Sequence, residues 1–412
     1  MHGARPRVSL EDIRRAAVAG AGVIRETPVL TSQTLARLTD LPDVLLKAEN
    51  LQRTGSFKVR GALAKITALA DRCANGVVTA SAGNHAQAVA LAARARGVRC
   101  EVFMPTIAPI AKVEAASGLG AEVRLVGATV DDALEAAVER AAQGGLAFVH
   151  PFDDPEVVAG QGGIGLELLE QVPALGRVFV PVGGGGLISG VAVALKTVRP
   201  EIEVIGVQVE AYAALAAGGA ASPDGARAAA GGATIADGIA VKRPGELTRV
   251  LIERWVDDLV TVSEDEVAEA MVFLMERAKL VVEGAGAVGV AALLARRPPR
   301  PAGGATVVIL SGGNVDAGLL ADIARRHESQ AGRRLVLQAT LPDRPGSLAS
   351  LLSLVAERGA NLLDVQHIRE GVDLHVRESA VQLVVETRGP THAVAVAEAV
   401  RGAGYPEPKL LR

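Results

Sequence analysis

Four short runs of this chain carry residue types that could do chemistry together. The first is Gly55-Ser-Phe-Lys-Val-Arg-Gly61, in which Lys58 closes a loop and opens a helical pattern. The positive end of a helix dipole disfavours an ammonium group, and the neutral amine is the form that adds to a carbonyl carbon to give a Schiff base. Taken singly, a lysine at a helix start is more often a solvated surface residue. The second run is Thr79-Ala-Ser-Ala-Gly-Asn-His-Ala-Gln87, between a strand pattern and a helix pattern. Its free backbone N–H groups and the Ser81 and Asn84 side chains suit a carboxylate. Its plainer reading is a capped strand–helix loop, with His85 structural.

The third run is Pro181-Val-Gly-Gly-Gly-Gly-Leu187. Glycine costs roughly 0.5–1 kcal/mol relative to alanine in regular structure, so four in succession need a reason. Backbone that comes close to an anion, with converging N–H groups, supplies one, and phosphate binding is preferred to a merely flexible loop. No Lys-Ser/Thr pair follows the glycines, which argues against a nucleotide P-loop. The fourth run, Leu310-Ser-Gly-Gly-Asn314, ends a β-rich stretch, where ligands of open α/β sheets gather. The Ser311 hydroxyl could meet a ring nitrogen, although a simple turn would explain this run alone. Gly284-Ala-Gly-Ala-Val-Gly289 satisfies a dinucleotide-binding pattern but lacks an acidic residue about 20 positions on. It reads as close packing at a helix start, with Glu283 near the site.

The elements that must position these runs alternate. Residues 44–48, 76–79, 99–104, 122–126, 177–181, 203–210 and 305–311 read as strands, and 58–70, 86–96, 130–143, 188–199 and 264–279 as helices. This alternation predicts an α/β fold with open, mostly parallel sheets covered by helices on both faces. After about residue 325 the pattern changes. A polar linker is expected at 326–333, then a small α+β unit over 334–412 in the order β-α-β-β-α-β. The Ala/Gly-rich stretch 213–232 reads as a flexible surface segment.

Composition excludes several classes of function. Of 412 residues, 49% are apolar and 2% aromatic, so Ala, Val and Leu must fill large cores by small-residue packing. A net charge of −3 gives no long-range pull toward nucleic acid or anionic lipid. No uncharged apolar run reaches the ~20 residues of a membrane helix, and the charged N-terminal segment does not read as a secretory signal. Cys73 and Cys100 lack a CxxC spacing and read as reduced thiols. A cytoplasmic protein without nucleic-acid or membrane partners is expected. No HExxH, Cys/His cluster or EF-hand loop appears, and no metal is assigned.

In type and order, the four runs resemble the threonine and serine dehydratases of the tryptophan-synthase-β fold type, which are pyridoxal-phosphate enzymes of fold type II. Thr234-Ile-Ala-Asp-Gly-Ile-Ala240 also looks like a segment of that family. The resemblance covers about residues 5–325, with a catalytic region at 1–325 and a smaller subdomain within about 48–150. It implies that Lys58 carries pyridoxal 5'-phosphate as a Schiff base and, once freed, takes the Cα proton. Phe57 would flank the ring, Asn84 bond the phenolic oxygen, Gly183, Gly184, Gly185, Gly186 and Leu187 hold the phosphate, and Ser311 meet the pyridine nitrogen. Ser81, Ala82, Asn84 and His85 would form the loop that receives the substrate carboxylate. The implied reaction removes water and ammonia from L-threonine to give 2-oxobutanoate, with L-serine as a secondary substrate.

Related serine racemases carry a hydroxyl residue where this chain has Ala82, so a single base on one face suits dehydration rather than racemisation. Relatives with a divalent-metal site show a further acidic residue shortly after the position of Glu210; here none follows, which leaves Glu210 as a bare candidate. The C-terminal unit resembles an ACT regulatory domain through Asp343-Arg-Pro-Gly-Ser-Leu348. That implies a homodimer or homotetramer, an isoleucine or valine effector near residues 344–348 and Asn361, and a place as the first step of isoleucine biosynthesis. Two alternatives stay open: a dehydratase of serine or hydroxyaspartate on the same fold, and a non-enzymatic amino-acid sensor, against which the intact Lys58, glycine loop and Ser311 argue.

Overall fold

In the computed structural model, residues 8–215, 232–298, 303–369, 374–405 and 409–410 are described. Most of the alanine/glycine-rich stretch expected at 213–232 lies outside the described residues. The chain divides into two compact units, Met1–Val315 and Asp316–Arg412.

The first unit holds two sheets. Strands β1 (Val29–Thr31), β2 (Val44–Lys47), β7 (Leu175–Pro181), β8 (Glu203–Val209), β9 (Asp258–Val262) and β10 (Ala305–Ile309) form the larger, in the order β1-β2-β10-β7-β8-β9. Only β1 runs antiparallel to its neighbour. The smaller sheet is all parallel, with β3 (Val77–Ala80), β4 (Cys100–Met104), β5 (Glu122–Leu125) and β6 (Ala147–Phe148) in the order β5-β4-β3-β6. Strands β3, β4 and β10 are buried along their whole length, which is why they read as unbroken apolar runs rather than alternating ones. The architecture is the expected α/β one. Strands β1, β6 and β9 are additions; β1 and β6 are only three and two residues long, too short for a periodic signal.

The helices pack on small residues, as the composition predicts. The helix Pro155–Gln171 starts at an Asp154 cap that accepts from the N–H groups of Glu156 and Val157. It carries four internal glycines, a composition that hides it from propensity reasoning. The packing explains them: a Cβ on Gly160 would come within 2.7 Å of Gly61 Cα in the helix Lys58–Leu69. One on Gly165 would come within 2.7 Å of Ala194 Cβ in the helix Gly186–Val198. These three helices lock together at backbone distance, and two of them begin at candidate site residues.

Beneath the Lys58 helix lies a buried ion network. Arg60 donates to both oxygens of Glu49 at 2.8 Å and to Glu167 at 2.6 and 3.0 Å. Lys47, fully buried, donates to Glu167, to Gln171 at 2.9 Å and to the Thr27 carbonyl at 2.7 Å. Two cations face two carboxylates, so the desolvated charges balance. The network ties the first turn of the Lys58 helix to the end of β2 and to the helix Pro155–Gln171.

The second unit opens with the helix Ala317–Gln330. The segment expected as a polar linker at 326–333 is helical through Gln330, and most of its polar residues are half-buried. A four-stranded antiparallel sheet follows, with β11 (Arg334–Pro342), β12 (Asn361–Ile368), β13 (Glu378–Glu386) and the short β14 (Lys409–Leu410) in the order β12-β13-β11-β14. The helices Ser347–Glu357 and Pro390–Gly402 complete the order β-α-β-β-α-β, packing through Leu351, Val355, Val396 and Val400 onto the buried residues of β11 and β13. Among the described residues, no helix is long and apolar enough to cross a membrane.

Candidate active site

Three neighbouring strands of the larger sheet, β2, β10 and β7, deliver three of the four runs at their carboxyl ends. After β2 the chain makes two single turns, Glu49–Leu51 and Arg53–Gly55, and enters the helix at Lys58. This entry is zipped to the end of β10. Ser56 and Gly312 form an antiparallel bridge, Phe57 N donates to Ser311 O at 3.1 Å, and Gly313 N donates to Gly55 O at 2.9 Å. Lys58 and the buried Ser311 are thereby fixed to one frame.

The glycine run follows β7 and becomes the N-terminus of the helix Gly186–Val198. Gly185, at φ 92°, is its cap residue, and no side chain caps the helix. The first-turn N–H groups of this 13-residue helix therefore have no side-chain acceptor and point at whatever lies before them. A Cβ on Gly184 would collide with the Phe152 ring, so alanine is not an equivalent there.

The smaller sheet supplies the fourth run, at the end of β3. Ser81 Oγ accepts from Gly83 N at 3.1 Å, which leaves its hydroxyl proton to be donated elsewhere. Asn84 opens the helix Asn84–Arg96 and is held from both sides. Its Nδ2 donates to Glu283 Oε1 at 2.8 Å, and its Oδ1 accepts from Asn314 Nδ2 at 2.7 Å. Those bonds fix the orientation of the amide and leave one N–H of Asn84 over. Asn314 Nδ2 also donates to Thr54 O at 2.7 Å, and Glu283 N to Gly312 O at 3.1 Å. The His85 ring turns inward: it is buried and donates from Nε2 to Val149 O at 3.0 Å. Ala82 is half-buried on the same loop.

Two groups escaped the sequence reading or were only touched by it. One is the segment from Val149 to Asp153, which joins the site's parts. Lys58 Nζ, 5.3 Å from the centre of the Phe57 ring, donates to Pro151 O at 3.0 Å. Phe152 packs on Gly184. The Asp153 carboxylate accepts from Glu246 N and Thr248 N at 3.0 and 3.1 Å, and Thr248 Oγ1 donates to Gly184 O at 2.7 Å. No motif marks this segment; the Asp154-Pro155 cap just after it is the nearest signal. The other group is Glu283, buried at the cap of the helix Gly284–Leu294, whose glycines pack against Ile235 and Gly312. Those contacts are close packing, and they bring the segment Thr234 to Ala240 against Glu283. Glu210 stands apart from these residues' bonds, exposed in a single turn after β8.

Burial shapes the electrostatics. It pushes the Lys58 amine down to about 8, against the opposing pull of the Glu283 carboxylate. It pushes Glu283 up to about 7, helped by the charge of Asp237, while the bonds from Asn84 and Asn314 hold it back. His85 is pushed down to about 3, first by burial and then by the Lys58 charge, so its ring is neutral. The result is an amine available as a nucleophile or base near neutral pH, beside a helix terminus that attracts an anion and a loop with spare donors.

The sequence profile of the family described as "Pyridoxal-phosphate dependent enzyme" matches residues 21–312. A protein of Thermotoga maritima named L-threonine ammonia-lyase is 44% identical over 403 residues, covering 97% of this chain and 98% of its own. The solved T.th. threonine deaminase superposes with a TM-score of 0.69 at 42% identity, over 75% of this chain and 99% of its own. Maize serine racemase superposes with a TM-score of 0.71 at 34% identity, over 78% of this chain and 98% of its own.

Proposed function

This chain belongs to the family of pyridoxal-phosphate-dependent enzymes, and from that premise we propose that it deaminates L-threonine to 2-oxobutanoate and ammonia, with L-serine as a secondary substrate. The observation that carries the reading is the meeting of a desolvated amine, an uncapped glycine-rich helix N-terminus and an amide fixed in orientation. These residues fit the cofactor. The N–H groups of Gly183, Gly184, Gly185, Gly186 and Leu187 would take its phosphate, at a helix terminus that no side chain caps and that the Phe152 ring backs at Gly184. Lys58 would hold its aldehyde carbon, Asn84 its phenolic oxygen through the spare N–H, and Ser311 its ring nitrogen, with Phe57 against the ring. When bound, pyridoxal phosphate supplies the electron sink that makes the substrate Cα proton acidic.

The chain's own residues do the rest. Lys58, lowered toward neutrality, is the base that takes the Cα proton. The Ser81-Ala-Gly-Asn-His85 loop receives the substrate carboxylate, with the buried His85 ring anchoring the loop to Val149. Ala82 carries no transferable proton, so nothing on that loop position returns a proton to the opposite face of Cα. Lys58, protonated by that transfer, can give the proton to the β-hydroxyl, which leaves as water, and a further water hydrolyses the released enamine to the keto acid and ammonia. Racemisation, the activity named for the maize relative, is disfavoured for that reason. The competing reading is a serine or hydroxyaspartate dehydratase. A panel of L-threonine, L-serine and hydroxyaspartate decides by kcat/KM: the largest value with L-threonine supports the proposal, and the largest with another substrate replaces it.

The second unit we read as an ACT-like regulatory domain, from its antiparallel β-α-β-β-α-β order. Isoleucine or valine would bind near residues 344–348 and Asn361, and the enzyme would catalyse the first step of isoleucine biosynthesis as a cytoplasmic homodimer or homotetramer. Isoleucine titration of the full chain tests this: an unchanged rate and no heat of binding would remove the effector from the proposal.

A further inference from the structure

His150 sits on the segment that joins the parts of the site, and its role was assigned by none of the motifs. Its Nδ1 accepts two backbone hydrogen bonds, from Phe152 N at 3.2 Å and from Asp153 N at 2.8 Å. Backbone N–H groups can only donate, so Nδ1 carries no proton, and a neutral ring must carry its proton on Nε2. Protonating Nδ1 would break both bonds at once. Burial lowers the affinity of the ring for a second proton, as does the nearby Lys58 charge, while the Asp153 and Asp154 charges oppose them. The ring itself is clamped edge-on between aromatic neighbours, with Phe152 at 4.8 Å and 85° and Phe148 at 6.2 Å and 71° between centres and planes. What remains is one N–H donor on a fixed ring. The next residue along the chain, Pro151, receives the Lys58 amine, and the one after it, Phe152, packs on the glycine loop. His150 therefore stands on the stretch of wall between the amine and the anion-binding helix terminus, and the Lys58 charge acts on its ring.

We propose that His150 is a specificity-determining donor whose Nε2–H bonds the side-chain hydroxyl of the amino-acid substrate. The assignment rests on the deamination reading above. It gives the site a means to tell hydroxy amino acids from their deoxy analogues, since a donor left unpaired in the pocket penalises the analogue that lacks the oxygen. A neutral donor also orients the hydroxyl without removing its proton.

Two substitutions separate the functions of the two ring nitrogens. In His150→Asn the amide oxygen can stand where Nδ1 stands and keep the backbone bonds, but the distal donor is lost. In His150→Gln the amide nitrogen can stand where Nε2 stands, but the backbone bonds are lost. The holoenzymes are titrated calorimetrically with α-methylserine and α-aminoisobutyrate, which differ by the hydroxyl and have no Cα proton to lose. The expected result is that H150N melts at the wild-type temperature and its preference for α-methylserine falls about tenfold, whereas H150Q melts lower and keeps the preference. An unchanged preference in H150N, an equal loss of affinity for both ligands, or a lost preference in H150Q would each overturn the assignment, and the H150Q arm stands alone if H150N does not fold. A wild-type holoenzyme that releases keto acid from none of L-threonine, L-serine and hydroxyaspartate refutes the deamination reading itself. An active wild type with an unaltered H150N refutes only the role of His150.

Discussion

The two units treat polar groups in opposite ways. In the first, Lys47, Glu49, Arg60, His85, Glu283 and Ser311 are buried, and each of the first five is engaged by a side chain or carbonyl distant in sequence. In the second, the buried polar residues among those described are Ser379 and Thr387, while the Arg369–Asp343 pair is exposed and the Arg333–Glu328 pair half-buried. Burying a charge is costly unless it is paired and bonded, so a fold gains little by doing it for stability alone. The first unit bears that cost where positions must be held to fractions of an ångström, around one amine and one helix terminus. The second is built by simple alternation, β11 burying every other residue, and leaves β12 exposed along nearly its whole length.

The contrast can be broken by removing the groups it depends on. Lys58→Ala should lower turnover of L-threonine by at least about 10³-fold, measured as keto acid released, because it removes both anchor and base. Gly184→Ala drives a methyl into the Phe152 ring, and should weaken cofactor retention about 10- to 100-fold in dialysis while leaving the far-UV spectrum intact. Arg60→Met strands Glu49 in the interior without a cation and leaves Glu167 with Lys47 alone. It should cost about 3–5 kcal/mol in denaturant unfolding, whereas breaking the exposed Arg369–Asp343 pair by Arg369→Met should leave the unfolding midpoint nearly unchanged.

The amine gives a pH prediction whose sign follows from its lowered affinity for protons. Below about 8 Lys58 is increasingly protonated and cannot add to an aldehyde. Uptake of pyridoxal phosphate by enzyme stripped of cofactor should therefore rise with pH and level off above about 8, rather than near the ordinary lysine value of 10.5. The smallest effect is expected from removing the second unit beyond its first helix. A chain ending at Gln330 should keep kcat within about twofold, because every site residue lies in the first unit, and should lose any response to isoleucine.

The same contrast explains what was legible in the sequence. Strands β2, β3, β4, β7, β8 and β10 were legible because burial on one or both faces imposes an apolar run, and the C-terminal unit because its alternation is plain. The four runs around Lys58, Asn84, the glycines and Ser311 were legible because glycine clusters and cap residues in loops have few other uses. The helix Pro155–Gln171 was not, since glycines that permit helix contact at backbone distance are the same residues that lower helix propensity. The segment Val149 to Asp153 was not, because its contributions are carbonyls, backbone N–H groups and ring packing, which any residue type can supply in part. Glu283 was noticed only beside misleading glycines; its bond to Asn84 joins residues 199 positions apart.

The central claim is that one amine, Lys58, holds the cofactor in the frame made by the Gly55, Ser311 and glycine-run loops. It is tested most directly by reducing the holoenzyme with borohydride, which fixes a Schiff base as a stable secondary amine, and mapping the modified peptide by mass spectrometry. A pyridoxyl adduct on Lys58, absent from the Lys58→Ala protein, is the predicted result. An adduct on another lysine, or an equal yield from the substituted protein, would contradict the account.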